Sequence, residues 1–284
     1  MDRTALRELL EFYDAAGVDC ALGENPIDRF EVQSVMQPIV LAAQTEKRFA
    51  PQSEALLPPV PRTPTPAAQA TSTSRSADAN TLADAEAVAA NANSLDELRA
   101  ALETYEGCGL KKTAQRMVFS DGNPNAKVML IGEAPGRDED AQGKPFVGRS
   151  GQLLDRMLAA IGLDRSLVYI GNVIYWRPPG NRTPTPAERA VCEPFIRRQI
   201  ELVRPRVMMT LGGSALATIL NRQGIMKTRG QELTYAHGEL AIPTVPTLHP
   251  AALLRNPANK KLAWHDLLVL QSMIEKTRAL QTDA

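Results

Sequence analysis

The sequence predicts an α/β fold in three layers around a central four-stranded parallel sheet, and three observations carry that prediction. Four short apolar runs have the length of buried strands: VMLIG from Val128, VYIGNVI from Val168, RVMMTLG from Arg206 and IPTVPTLHP from Ile242. Segments of helical periodicity fill the intervals between them. Gly132, Gly162, Gly212 and Pro250 punctuate the junctions. Strands that alternate with helices in this way lie parallel, with helices on both faces.

At 284 residues, 44% of them hydrophobic and 23% charged, the chain has the composition of an ordinary globular protein with one main domain and an appendage. Its 32 basic residues balance its 32 acidic ones, so a nucleic-acid surface, if present, must be local. No run approaches the roughly 18 apolar residues that span a bilayer, and the start, MDRTALRELLEF, lacks a signal-peptide core. A cytoplasmic, monomeric protein is expected, without membrane association. Three scattered Cys suggest no disulfide framework and fit a reducing compartment.

Taken in order, residues 1–47 form an amino-terminal appendage. Leu6, Leu9, Leu10 and Tyr13 share one face of a short helix that stops at Gly17. That helix is either a weakly held appendage or a docking peptide for another protein. Residues 48–81 turn to Pro, Ala, Ser and Thr and read as a disordered linker. The main domain is 82–284. Ser94 and Glu97 have capping-box spacing ahead of LRAALETY. GQLLDRMLAAI, from Gly151, is a helix between the first two strands. Thr185, Pro186 and Glu188 open the next, which carries Cys192 and then Pro194, an expected kink. SALATIL is a short helix, and Lys260 to Lys276 closes the chain.

In a parallel sheet all carboxyl ends share one rim, where such folds place their ligands. Here that rim collects GEAPG (132–136), Asn172 with RPPGNR beyond it, and His249-Pro250. Taken singly, a Gly-Pro turn or a His before Pro says little. Taken together, GEAPGRDEDAQGKPFVGRSG, NVIYWRPPGNRTPTP and TLHPAALLRNP, in this order and spacing, resemble the family 4 uracil-DNA glycosylases from about Glu103 to Leu270. The resemblance implies the three-layer uracil-DNA-glycosylase-like fold. It also implies an enzyme that removes uracil from DNA by hydrolysing the N-glycosidic bond, leaving an abasic site in base excision repair.

The same resemblance distributes roles. An enzyme acting on a base takes it out of the stack and recognises it in a pocket. Phe146 matches the family's stacking aromatic, and a core Phe is the alternative. Asn172 can accept from uracil N3–H and donate to O4, whereas cytosine offers an acceptor and a donor there, so both contacts fail. His249 corresponds to the residue near uracil O2, where a hydrogen bond that strengthens as charge develops lowers the barrier. Backbone N–H groups of the Ala134 to Gly136 turn add to it. Glu133 matches the acid of the first motif, set to hold water or stabilise a cationic sugar. Asp138, Glu139 and Asp140 suit a helix start without catalytic duty, with Glu139 the exception as possible support for the site. Leu253 or Leu254 would fill the gap in the duplex while Arg255 meets phosphate, with a core contact as the alternative for either Leu. Arg177, Arg182, Lys144 and Arg149 adjoin the rim as candidate DNA contacts.

The chain departs from the family pattern in one respect. Most members bind a [4Fe–4S] cluster through four Cys, but only Cys108 and Cys192 match, with Tyr105 and Trp176 at the other two positions. Phenol and indole cannot replace thiolates on iron. The expectation is therefore no cofactor and no metal, with the two aromatics filling the vacated volume. The family itself lacks the water-activating Asp and thymine-blocking Tyr of better-known uracil glycosylases, and those places hold Ala134 and Gly136 here. A rival reading is a non-catalytic module that binds uracil or damaged DNA. A nucleotide-binding enzyme is disfavoured, because neither GxxxxGK[ST] nor GxGxxG occurs.

Overall fold

Helix α1 (Thr73–Asn91) opens the described part of the chain, inside the stretch expected to be disordered linker up to residue 81. The computed structural model describes residues 73–282, with side chains from 81 to 277. The appendage expected over 1–47 and the linker as far as residue 72 lie outside the described residues. The early helix start has a physical reason, since Ala85 and Ala89, one turn apart, are buried and give an Ala-rich segment a partner to pack against. In α2 (Leu95–Thr104), Ser94 Oγ accepts from Glu97 N at 3.1 Å, but the Glu97 carboxylate takes the N–H of Asn93 at 2.7 Å. The capping box is therefore displaced by one residue on one side.

The order then runs β1 (Asp121–Gly122), β2 (Val128–Gly132), α3 (Arg137–Gln142), α4 (Arg149–Ala159), β3 (Val168–Asn172), α5 (Pro186–Val203), β4 (Val207–Leu211) and α6 (Gly213–Leu220). It ends with α7 (Ile225–Thr228), β5 (Leu233–His237), β6 (Leu240–Thr247), α8 (Pro250–Arg255) and α9 (Lys260–Thr282). Helix α5 begins as its sequence dictates, with Thr185 and Glu188 capping each other and Pro186 in the first turn, and it continues through Pro194.

The sheet has the order β1-β3-β2-β4-β6-β5. Strands β3, β2, β4 and β6 are parallel neighbours, as expected. Two antiparallel edge strands extend this sheet to six, β1 against β3 and β5 against β6. Strand β5 escapes sequence reading because it is half-exposed and weakly patterned, and it owes its place to the tight turn at Gly238, whose φ is +56°.

Alternating side chains divide between two cores, which is what makes the fold three-layered. Met129, Ile131, Tyr169 and Met208 point to one face, packed with Leu98 and Leu102 of α2 and Phe195, Ile196 and Ile200 of α5. Val128, Leu130, Val168, Ile170, Val207 and Met209 point to the other, against Leu154 and Leu158 of α4 and Leu267 and Leu270 of α9. Both faces of β2 are buried along its whole length. The four parallel strands therefore end together on one rigid rim. None of the described helices is long and apolar enough to cross a membrane.

Candidate active site

The rim encloses a cavity of about 410 Å³ whose lining includes Glu133, Ala134, Phe146, Asn172, His249 and Arg255. Glu133 and Ala134 follow β2, Asn172 ends β3 and His249 lies two residues beyond β6. Residues far apart in the sequence thus converge because their strands are parallel.

Asn172 is almost fully buried, and its Oδ1 has no hydrogen-bond partner. Leaving such an acceptor unmade costs about 1–3 kcal/mol in a folded chain, so a hydrogen-bond donor brought to this oxygen would be favourable. Its neighbours fix its place. A Cβ on Gly132 would collide with Asn172 Oδ1 and with the edge of the Phe146 ring, so only glycine lets the amide and the ring close over the strand end.

Phe146 is the residue on which the local backbone is most constrained. It has φ +54°, a conformation that costs a bulky side chain energy and persists only when its surroundings enforce it. Glu139 enforces it from one side: its Oε1 accepts from Val147 N and Gly148 N, both at 3.0 Å, while Oε2 accepts from Gly136 N at 3.1 Å. One carboxylate thereby ties the GEAPG turn to the Phe146 turn. Arg165 enforces it from the other, donating to the Phe146 carbonyl, to Pro145 O at 3.2 Å and to Asp121 at 2.7 Å. Gly151 completes the arrangement, since any Cβ there would overlap the Phe146 carbonyl. The Phe146 ring lies over the imidazole of His249, with centroids 5.6 Å apart and planes 29° apart.

His249 caps α8. Its Nδ1 accepts from Ala251 N at 3.1 Å, which leaves the ring proton on Nε2 as a donor. Burial, reinforced by the Arg255 charge, pushes its pKa down to about 4. At neutral pH the residue is a neutral imidazole offering one N–H. Glu133 shows the opposite trend: burial raises its carboxyl above the ordinary 4.5, opposed by the Arg189 charge and the Ser214 hydroxyl.

The remaining expectations divide. Leu253 is buried in the core on the α4 and α9 side, so it is not a wedge for DNA. The reason is helical phase: Pro250 and Leu253, three apart on α8, share the inward face. Leu254 is partly buried beside the same core, while Arg255 is exposed. Arg177 and Arg182 are not free cations. Arg177 Nε donates to Asn181 Oδ1 at 2.7 Å, with Nη1 3.9 Å from buried Asp140, and Arg182 makes a two-pronged contact to Glu188 at 2.8 and 2.6 Å. That contact, with backbone help from Thr185, holds the Glu188 pKa down to about 2. Asp140 also accepts from Gln115 N and Arg116 N, at 2.8 and 3.2 Å. Glu139 and Asp140 of α3 thus anchor neighbouring loops rather than merely favouring the helix dipole.

Sequence reasoning missed Arg165, and also Ser150 and Thr183 in the cavity wall. No local signal marks them, because their importance comes from what the fold carries to them.

Comparison with known proteins gives the same picture. A family model described as "Uracil DNA glycosylase superfamily" matches residues 119–268. A type-4 uracil-DNA glycosylase of Thermotoga maritima is 40% identical over 173 residues, which are 60% of this chain and 88% of that protein. One of Archaeoglobus fulgidus is 41% identical over 169 residues, 58% of this chain and 85% of the relative. One of Sulfurisphaera tokodaii is 36% identical over 187 residues, 64% and 85% of the two chains. With its matched region spanning the sheet and every rim residue named above, the chain belongs to the uracil DNA glycosylase superfamily.

Proposed function

We propose that the chain excises uracil from DNA by hydrolysing its N-glycosidic bond, a step of base excision repair. The observation that carries this reading is the buried, unpartnered Oδ1 of Asn172 in a cavity walled by Phe146 and His249. Uracil N3–H donates to that oxygen and uracil O4 accepts from the amide nitrogen, while the base packs along the Phe146 ring. Cytosine would set acceptor against acceptor. As the bond to C1′ breaks, its electron pair moves onto the base, and His249 Nε2–H, aimed at O2, holds the developing charge. A neutral donor is suited to this because it leaves no strong positive charge to be desolvated in the empty site. Glu133 holds the water that attacks C1′ and accepts its proton, and its raised pKa brings it toward the range of a useful base. Glu139 touches no reacting atom and acts through the two turns that it joins. Arg255, at the mouth, meets phosphate, with Leu254 beside it at the duplex. Free uracil released from a single-uracil oligonucleotide, with none from a thymine control, is the direct test. Tight binding without release would replace this reading by that of a recognition module.

We also propose that the chain works without an iron–sulfur cluster or other cofactor. The residues at the corresponding place do not fit one. Tyr105 donates its hydroxyl to Thr81 O at 3.0 Å, and its ring packs on Phe195 with centroids 5.1 Å apart. Trp176 is buried edge-on to Tyr175. Burial and the nearby thiols push the Tyr105 phenol up to about 12, so it is no anionic ligand. Among the described residues no group of three or more His, Cys, Asp or Glu is placed to hold a metal. Iron and sulfide analysis of anaerobically purified protein tests this, with none expected. The same reading extends to a cytoplasmic protein, supported by composition, whose residues 1–47 are either a weakly held appendage or a docking peptide presenting Leu6, Leu9, Leu10 and Tyr13.

A further inference from the structure

We propose that Cys108 and Cys192 form a thiol modification site that takes a hydroperoxide and is oxidised by it to a disulfide. Cys192 Sγ donates to Cys108 Sγ across 3.9 Å, although the two residues are 84 apart in the chain. Both are free and buried. A disulfide needs its sulfurs about 2.05 Å apart, so side-chain rotation with a modest loop shift closes the gap.

The two thiols are not equivalent. Cys192 is fully buried within helix α5. Cys108 lies outside any helix or strand, just before the short 3₁₀ turn Gly109–Lys112, and it forms part of the wall of a cavity of about 380 Å³. Gly107, Gly109, Ala187 and Ala190 line that cavity too, and such small side chains leave room for a small oxidant next to the sulfur. Cys108 is therefore the thiol that a peroxide reaches, and Cys192 the one that resolves it.

The Cys108 sulfur attacks the outer oxygen of the hydroperoxide. An S–O bond forms, the O–O bond breaks, and the alcohol leaves with the thiol proton. The Cys192 sulfur then attacks the Cys108 sulfur, the S–S bond forms, the S–O bond breaks, and hydroxide leaves with the Cys192 proton as water. Two thiols lose two electrons in total, and one hydroperoxide becomes one alcohol and one water. The product staples the segment before the 3₁₀ turn to α5.

The test uses the full chain as purified, with its iron content measured, treated with stoichiometric tert-butyl hydroperoxide and followed by intact mass and non-reducing peptide mapping. The expected result is a mass lower by two hydrogens, a Cys108–Cys192 linked peptide, and reversal by dithiothreitol. Cys192→Ser should stop with one added oxygen on Cys108, trapped by dimedone, and Cys108→Ser should leave Cys192 unreacted. Wild-type mapping decides the matter even if either variant folds poorly. A link through Cys20, oxygen added to both thiols without a link, no reaction, or iron bound through the two sulfurs would each overturn the proposal.

Discussion

The ring of Phe146 lies over the ring of His249, 5.6 Å between centroids, and the buried amide of Asn172 lines the same cavity. Phe146 is set there by a turn, His249 by a helix cap and Asn172 by a strand end, so each can be perturbed separately.

Asn172→Ala should lower kcat/KM for uracil excision by about 30-fold or more, from the loss of two buried hydrogen bonds at about 1–3 kcal/mol each. Stability should change little or rise slightly, because the unpaired buried oxygen goes with the side chain. Uracil release and thermal melts on one preparation check both halves.

The acid limb of the pH–rate profile should belong to Glu133, not to His249. A carboxyl raised above 4.5 loses its negative charge as pH falls through its folded value, and turnover falls with it. His249, with its pKa down at about 4, adds no inflection near 6.5. For stability the sign is fixed by the unfolded chain, which takes up the His249 proton near 6.5 while the folded chain does not until about 4. That contribution is whole above 6.5 and is lost as pH falls toward 4. His249→Gln should remove this part of the acid sensitivity in melts recorded across that window.

Glu139→Ala should cost about 2–4 kcal/mol of stability, since three backbone N–H groups lose a charged acceptor at once. It should lower kcat more than it changes KM, because it releases the turns that aim Phe146 and the GEAPG backbone. Glu139→Gln, which keeps one acceptor oxygen, should recover part of both. Equal loss in the two variants would count against a positioning role.

Leu253→Ala should destabilise by about 2–5 kcal/mol through a core cavity, leaving turnover per folded molecule unchanged. Leu254→Ala should cost less stability and slow excision from duplex more than from single strands. Denaturation curves and parallel assays on both substrates separate the two.

Much of this was legible in the chain. The four parallel strands and their shared rim follow from apolar runs and turn residues, and Glu133, Phe146, Asn172 and His249 follow from motif blocks whose spacing survives in one register. What was not legible depends on tertiary neighbours. Leu253 and Leu254 look alike as a pair, and only the phase of a six-residue helix decides which is core. Arg177 looks like a free cation until the fold brings Asp140 beside it. Strand β1 has two residues and β5 a half-exposed pattern, too little for periodicity to register, and α1 starts in linker-like sequence because α5 offers it a surface.

The most direct test of the account is uracil release from single-uracil DNA by wild type beside Asn172→Ala and His249→Ala, all confirmed folded. The account predicts multiple turnovers by the wild type and loss of about 30-fold or more in each variant, without added iron. Wild-type protein that binds the DNA without releasing uracil, or variants that release it as fast as wild type, would contradict it.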